Sequence, residues 1–311
     1  MFPIIFSYKG IQISSYGLML VILFLTCNYL LRRYLKQKNK DPQIADDMVL
    51  RAAIGGVIGA KLYYLLENIN NGIASANING LIDAFYALIN TFYGIFTLDS
   101  SKIAFSGIIH GVQDFFTGLV FLGGLIGGMI SVTLYLRKHN INWFEAADWV
   151  APYLALGHAI GRIGCFLVGD CYGTTCNLPW AVQFKNGFPP TTFESFRYNY
   201  PEIFNGHNFQ SIYSSGDLIS VHPTQIYESL LYILVFAYLI HIRKRKSYNG
   251  VIMFEYLFLV GLSRFLVEFL RLNPSYLLGL SGAQIISASM MIISSYLMYI
   301  NRKKLEESLM T

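Results

Sequence analysis

Charge is what this chain lacks most. Charged residues make up 13% of its 311 positions and apolar residues 54%, whereas a soluble globular protein carries about 25% charged residues. Such a balance excludes a disordered chain, which stays open through high charge and low hydrophobicity, and an ordinary cytosolic enzyme. Cysteine is also scarce. Four residues are too few for a disulfide scaffold. Tryptophan occurs only 3 times, although 22 Tyr and 23 Phe raise the aromatic share to 15%. The net charge of +5 is spread in short blocks between apolar runs, not gathered on one solvated face, so no nucleic-acid partner is expected. There is no internal repeat, no low-complexity tract and no linker between soluble domains.

Long apolar runs are what the chain does have, and the mean hydropathy is +0.45. A membrane helix needs about 20 mostly apolar residues to cross a hydrocarbon core of about 30 Å. Seven stretches meet that need: 14–31, 48–66, 115–136, 146–167, 224–242, 251–270 and 280–300. The basic residues test this count independently. Arg32, Arg33, Lys36, Lys38 and Lys40 follow the first run, and Arg137 and Lys138 the third. Arg243, Lys244, Arg245 and Lys246 follow the fifth, and Arg302, Lys303 and Lys304 the seventh. All of these fall on one side if every run spans, and only Lys9, Lys102, Lys185 and Arg197 fall on the other. Cytoplasmic loops carry the excess of Lys and Arg. The expected fold class is therefore an all-α polytopic membrane protein with seven transmembrane helices, N-terminus outside and C-terminus inside, forming a single integral membrane domain over 1–311. Only Lys9 precedes the first run and no small-residue cleavage site follows it, so this run is expected to remain rather than leave as a signal peptide. Two outer segments are long. An amphipathic, partly aromatic stretch at 82–96 suits the membrane surface. Residues 171–221, rich in Gly, Pro, Asn and aromatics, are expected to form a small extracytoplasmic cap.

Ionisable residues inside spans cost at least about 2.5–3.5 kcal/mol each at the bilayer centre, so they face the protein interior and often mark function. Three segments concentrate them. In Arg264-Phe-Leu-Val-Glu268-Phe-Leu-Arg271, spacings of 4 and 3 place three charges on one helical face. Two readings fit, a structural Arg–Glu–Arg ladder or a cationic phosphate site oriented by Glu268; Arg271, near the outer end, also suits snorkelling. In Gly157-His158-Ala-Ile-Gly161-Arg162-Ile-Gly164-Cys165, glycines line one face and allow close approach, with Arg162 deep in the span. Asp170 follows in a stretch bracketed by Gly169 and Gly173, which predicts a non-helical turn. An Arg162–Asp170 pair is the structural alternative, and packing is the simpler role for His158. In His222-Pro-Thr-Gln-Ile-Tyr227-Glu228, Pro223, Thr224 and Gln225 suit a helix start and its caps, but a start signal does not explain Glu228 inside the membrane. Together these residues suggest an anionic lipid headgroup as ligand. The glycine run at 123–128 is expected to serve helix packing. Cys27 reads as an inert apolar residue. A Cys171–Cys176 disulfide is compatible with the oxidising side, and their spacing without His partners is weak support for a metal.

With these residues in view, the chain resembles the prolipoprotein diacylglyceryl transferase family. Gly161-Arg162-Ile-Gly164-Cys165-Phe166-Leu-Val-Gly169-Asp170-Cys-Tyr-Gly173 is similar to its signature, approximately G-R-x-G-N-F-x-N-G-E-x-x-G. The His222 and Arg264 segments match its H-P-[ST]-Q-[LI]-Y-E and R-F-x-[VI]-E-F-x-R patterns. Tyr16-Gly17 fits its first span and Phe121-Leu122-Gly123-Gly124 its third. The resemblance implies a transferase of the bacterial plasma (inner) membrane. Such an enzyme moves the diacylglyceryl group of phosphatidylglycerol to the lipobox cysteine of a prolipoprotein signal peptide, forming a thioether and releasing glycerol phosphate. Carried over residue by residue, Arg162, Arg264, Asp170, Glu268 and His222 are the catalytic candidates. Tyr16, Cys165, Gly173, Tyr227 and Glu228 join Arg162 and Arg264 in binding substrate. No cofactor and no metal are expected; the partners are phosphatidylglycerol, lipobox peptides and membrane lipids. The chain departs from the pattern at Leu122, where the family has the His of F-H-G-G, at Cys165 for Asn and at Asp170 for Glu. Two other readings stand beside this one. A divergent relative would keep the lipid site with an altered acceptor or weak activity, and a transporter would use the intramembrane charges as a pathway. Charges clustered in one membrane half and the lack of repeats speak against the transporter.

Overall fold

The computed structural model describes residues 3–8, 11–68, 85–86, 89, 120–201, 214, 216–245, 247–277 and 279–310. The stretch at 82–96 and the start of the third run at 115–119 lie almost wholly outside them. Two short strands, β1 (Ile4–Tyr8) and β2 (Ile11–Ser14), precede α1 (Ser15–Gln37) and α2 (Gln43–Glu67). Then come α3 (Phe121–Lys138), α4 (Trp143–Val168), the short α5 (Phe193–Asn199), α6 (Thr224–Ile242) and α7 (Val251–Glu268). Strands β3 (Ser275–Leu277) and β4 (Leu280–Ser281) pair antiparallel before α8 (Gly282–Met310).

A long helix thus overlies each expected run. Helices α1 and α8 run past their apolar stretches into the basic segments, where Arg, Lys and Leu are good helix formers. Among the described residues, α1, α2, α4, α6 and the stretch Gly282–Ser308 of α8 are long and apolar enough to cross a membrane. Their outer faces agree. On α1, Val21, Leu25 and Tyr29 recur every fourth residue at 54%, 65% and 62% exposure. A stripe of this kind on a soluble protein would drive aggregation; facing lipid it is at rest. This is a multi-pass, mainly helical membrane protein.

The chain divides into two compact units. One comprises Ser7–Gln12 and Asp41–Trp143, the other Met1–Phe6, Ile13–Lys40 and Phe144–Thr311. In the smaller unit, α2 and α3 meet through glycines. A Cβ on Gly55 would lie 2.7 Å from the Gly127 carbonyl oxygen, and one on Gly59 2.8 Å from Gly127 Cα. Gly55-xxx-Gly59 and Gly123-xxx-Gly127 therefore form the small-residue seam by which membrane helices approach closely. At the basic end of the seam, Tyr135 donates to Asp47 Oδ2 at 3.0 Å and Arg51 lies 5.0 Å from the Tyr135 ring. Gly127→Val forces the two backbones apart. It is expected to destabilise the protein by about 1–3 kcal/mol, read as a lower unfolding temperature in detergent, while Gly56→Ala, whose added carbon has 3.6 Å to its nearest neighbour, leaves it close to wild type.

The larger unit is organised around α4. Its Ala151, Ala155 and Ala159, spaced by four, present a small face to Tyr232, Val235 and Leu239 of α6 and Ile252, Tyr256 and Val260 of α7. Asp148, on the same helix, accepts from Gly250 N (2.7 Å) and Met253 N (2.9 Å), capping α7 from outside its own sequence. Gly250 has φ +101°, a conformation only glycine takes freely. The remaining face of α4 carries Gly157, Gly161 and Gly164, where an added Cβ would meet Leu23, Met19 and Tyr16 of α1 at 3.2–3.9 Å. The described part of 171–221 has its own aromatic cluster of Tyr172, Phe184, Phe193 and Phe196 with Ile219 and Val221.

Candidate active site

Three helices of the larger unit converge on one carboxylate. Glu228, in the second turn of α6, is fully buried. Its Oε2 pairs with Arg162 Nε from α4, and its Oε1 accepts from Arg264 Nη1 of α7 at 2.5 Å. Arg264 Nη2 also reaches Glu268 Oε2 at 2.8 Å, one turn on along α7. Glu268 is held further by Ser281 Oγ (2.7 Å) and Asn273 Nδ2 (2.6 Å), both on its Oε1, and lies 3.7 Å from Arg271 Nε. Three arginines thus share two buried glutamates. The Arg162 and Arg264 side chains are 22% and 21% exposed while Glu228 is 0% exposed, so what solvent access this cluster has lies on the arginine side chains and not on the carboxylate between them.

A turn at 169–173 closes this network on one side. Gly169 and Cys171 both take positive φ, +78° and +58°. Helix α4 ends there, with Gly169 N and Asp170 N still donating to Cys165 O. The expected helix-capping role of Thr224 and Gln225 is not what the structure shows. Their side chains reach across instead, Thr224 Oγ1 to Cys171 O at 2.8 Å and Gln225 Nε2 to Asp170 O at 2.5 Å. The reason is that carbonyls of a turn with left-handed residues find no helical partners and must be satisfied from outside. Arg271 Nη1 adds a bond to Cys171 O at 3.1 Å. Its side chain is 10% exposed, so it is bound inward rather than snorkelling, and it lies past the end of α7. Gly173 is not left-handed. It is glycine because a Cβ would collide with the Leu270 carbonyl and the Thr224 methyl, and its N–H donates to His222 O at 2.9 Å.

Asp170 Oδ1 is buried, and the hydrogen-bonding neighbours of its carboxylate are the thiols of Cys165 and Cys171. Burial, and then the neighbouring Cys171, push its carboxyl up to about 6. Asp170 and Tyr16 line a cavity of about 400 Å³ whose wall is otherwise largely apolar, including Pro3, Ile4, Val168 and Phe188. The four cysteines are free thiols. Cys171 stands beside Cys165 and not in a disulfide with Cys176, whose Sγ accepts from Leu178 N at 3.4 Å. Cys171 is held low by its hydrogen bond with Cys165, the largest cause, aided by Arg271.

The remaining candidates make contacts of their own. His222 Nδ1 is 3.3 Å from Tyr227 OH, which accepts from Trp180 Nε1 at 2.7 Å. His158 is packed between Tyr232 and Tyr256, with Nε2 2.9 Å from Tyr256 OH, the packing role expected of it. Leu122, at the start of α3 in the smaller unit, is 48% exposed. Sequence reading assigned Glu228 to the polar wall and did not foresee it as the shared counter-ion. It also missed Asn273, Ser281 and Trp180. Asn273 and Ser281 lie 5 and 13 residues beyond Glu268, just before β3 and at the end of β4, where no helical periodicity points back to the site.

A cluster of arginines gathered on buried glutamates at the end of membrane helices is suited to an anionic, lipid-borne substrate. Comparison with known proteins narrows this. A sequence model of the family "Prolipoprotein diacylglyceryl transferase" matches residues 3–300. A Clostridium tetani protein named phosphatidylglycerol–prolipoprotein diacylglyceryl transferase is 30% identical over 302 residues, covering 96% of this chain and 98% of the relative. Proteins of the same name from Finegoldia magna and Methylococcus capsulatus are 28% and 29% identical, covering 96% and 89% of this chain and 95% and 84% of their own length. With the match running through every long helix, the chain belongs to the prolipoprotein diacylglyceryl transferase family and is a transferase.

Proposed function

We propose that this protein transfers the diacylglyceryl group of phosphatidylglycerol to the lipobox cysteine of a prolipoprotein signal peptide. It does so as a seven-span protein of the bacterial inner membrane, N-terminus outside and C-terminus inside. Residues 1–311 form one integral domain and 171–221 its extracytoplasmic cap. The observation that carries this reading is the pair of partly exposed arginines, Arg162 and Arg264, held on one inaccessible Glu228.

The chemistry makes simple demands. The peptide thiolate attacks the glycerol carbon that bears the phosphate. A C–S bond forms, the C–O bond breaks, and glycerol phosphate leaves with the electron pair. Arg162 and Arg264 bind the phosphate and stabilise the charge that grows on it. Preorganisation lies in Glu228 and Glu268, which fix both guanidinium groups before substrate arrives. Positive charge nearby also lowers the pKa of the incoming thiol. Tyr16, Gly173, Tyr227 and Cys165 shape the wall around the headgroup, and the His222–Tyr227–Trp180 chain sits at its rim.

A proton must leave the thiol, and Leu122 stands where the family has a His. We assign the role of acceptor to Asp170, which lines the cavity with Tyr16 and whose carboxylate is bound by no cationic side chain, only by the Cys165 and Cys171 thiols. Glu268 is occupied by four groups and His158 by its two tyrosines. Asp170→Asn is expected to slow transfer about 10²–10⁴-fold, the usual contribution of a general base. Leu122→His then leaves the rate within about threefold; a gain of about 10²-fold overturns the assignment. The test of the whole reading is to incubate the purified protein with phosphatidylglycerol and a lipobox peptide and to weigh the peptide. A diacylglyceryl mass on the cysteine is expected. No addition, under conditions where a His-containing relative works, sinks it.

A further inference from the structure

Cys165, Asp170 and Cys171 are unusual company for a lipid headgroup. One ligand atom from each, two Sγ and a carboxylate oxygen, lies within 4.8 Å of the others. All three residues are only partly buried, so the cluster is reachable. We propose that these three residues form a binding site for a soft divalent cation of the zinc class, with two thiolates and one carboxylate as ligands and water in the fourth position; Asp170 cannot hold the ion and take the peptide proton together, so the loaded protein is expected not to transfer.

The donor set fits the ion. Thiolate sulfur selects zinc-like d¹⁰ metals over magnesium or calcium, and three protein ligands with one open position is a common zinc arrangement. A tetrahedral ion with bonds of about 2.3 Å to sulfur holds two sulfurs roughly 3.8 Å apart. The observed spread is therefore closed by small side-chain rotations. The Asp170 carboxylate is hydrogen-bonded to the Cys165 and Cys171 thiols, so the three groups already share protons that a divalent cation would displace.

The frame is rigid where a site needs it. The Asp170 and Cys171 carbonyls are tied by Gln225, Thr224 and Arg271, and Cys165 sits on the last turns of α4. Backbone bonds of this kind hold ligands in place and lower the cost of ordering them. The charge balance also closes. Two thiolates, a carboxylate and a divalent ion sum to one negative charge, next to the cationic Arg162 and Arg271, which act on these groups. The Cys171–Cys176 spacing considered from sequence draws in the wrong partner. The true neighbour of Cys171 is Cys165, brought near by the turn at Gly169.

Uptake is read without any transfer reaction, so its outcome is separate from that of the proposed activity. The full-length protein, purified in detergent and reduced, is titrated with Zn²⁺ alone and with Cd²⁺ as an optical probe. About one equivalent per chain is expected, with Kd near 10⁻⁶ M or tighter, and a sulfur-to-cadmium charge-transfer absorbance. Iodoacetamide labelling mapped by mass spectrometry gives a readout in the wild-type chain, free of any folding defect of a variant. Zinc should slow labelling of Cys165 and Cys171 about tenfold or more, leaving Cys27 and Cys176 unchanged. Cys171→Ser and Cys165→Ser should each weaken uptake about 100-fold or more, beyond the 10–100-fold typical of losing a mere supporting group. The proposal is overturned by an absence of cadmium–sulfur absorbance, by protection that falls on Cys27 or Cys176, or by a Cys165–Cys171 disulfide that re-forms before zinc is taken up.

Discussion

Arg162→Ala lowers diacylglyceryl transfer by about 10²–10³-fold, and Arg264→Ala by a similar factor, the loss seen when one preorganised donor to a developing anion is removed. The measurement is the initial rate of mass addition to a lipobox peptide at saturating peptide, with phosphatidylglycerol varied. A leaving phosphate gathers charge as the C–O bond breaks. The arginines therefore act more on the transition state than on the bound lipid, and the loss should fall mainly in kcat. Arg162→Lys should recover only part of the rate. Lysine restores charge but not the planar fork, and it cannot meet Glu228 through Nε while offering further N–H groups to a phosphate. A variant Arg162→Ala that keeps wild-type kcat and loses only affinity would mean that the headgroup is held there and the chemistry is supported elsewhere. Equal rates for wild type and both alanine variants would remove the arginines from the reaction.

Glu228→Gln should cost more in stability than any arginine substitution. The carboxylate is fully buried and balances two guanidinium groups from two other helices. Removing one member of a buried ion pair costs about 3–5 kcal/mol, since the stranded charge keeps its desolvation penalty. The arginines retain about a fifth of their exposure and water relieves part of that penalty, so the lower end, about 3 kcal/mol, is expected. Thermal unfolding in detergent reads it. The double variant Glu228→Gln with Arg162→Met separates this account from a mere packing defect. Taking out both partners removes the stranded charge at Arg162, while Arg264 still has Glu268 at 2.8 Å, so much of the lost stability should return. Transfer activity should not return with it. A double variant as unstable as the sum of the single ones would show that Glu228 matters for shape and not for charge.

The helical elements were legible because lipid imposes a simple rule. Every backbone polar group in hydrocarbon must be satisfied within its own segment, so a long apolar run can only be a helix there, and Thr224–Ile242 follows its run without shift. Helices α1 and α8 overran their runs because helix propensity carries on where hydropathy stops. The glycine run of α3 was also readable as a packing face, but its partner, Gly55 and Gly59 of α2, was not. The site was legible as a set of misplaced charges and not as a network. The spacing of Arg264, Glu268 and Arg271 put three charges on one face, yet it could not say that Arg264 divides itself between its own helix and Glu228 of α6. Thr224 and Gln225 looked like caps because local rules see only the nearest N–H groups.

Composition and the spacing of apolar runs by themselves determined the solvent of this protein, its helical class and the short list of charges that had to be functional or paired. These are local properties, set by what each segment can bury. Which charge meets which was decided by the tertiary structure alone. Glu228 became the common counter-ion because the alanine face of α4 lets α6 and α7 approach, and Cys171 found Cys165 because the turn at Gly169 folds the chain back. The first pairing depends on distances between helices far apart in the chain and the second on the exact path of a turn, and the order of residues is silent about both.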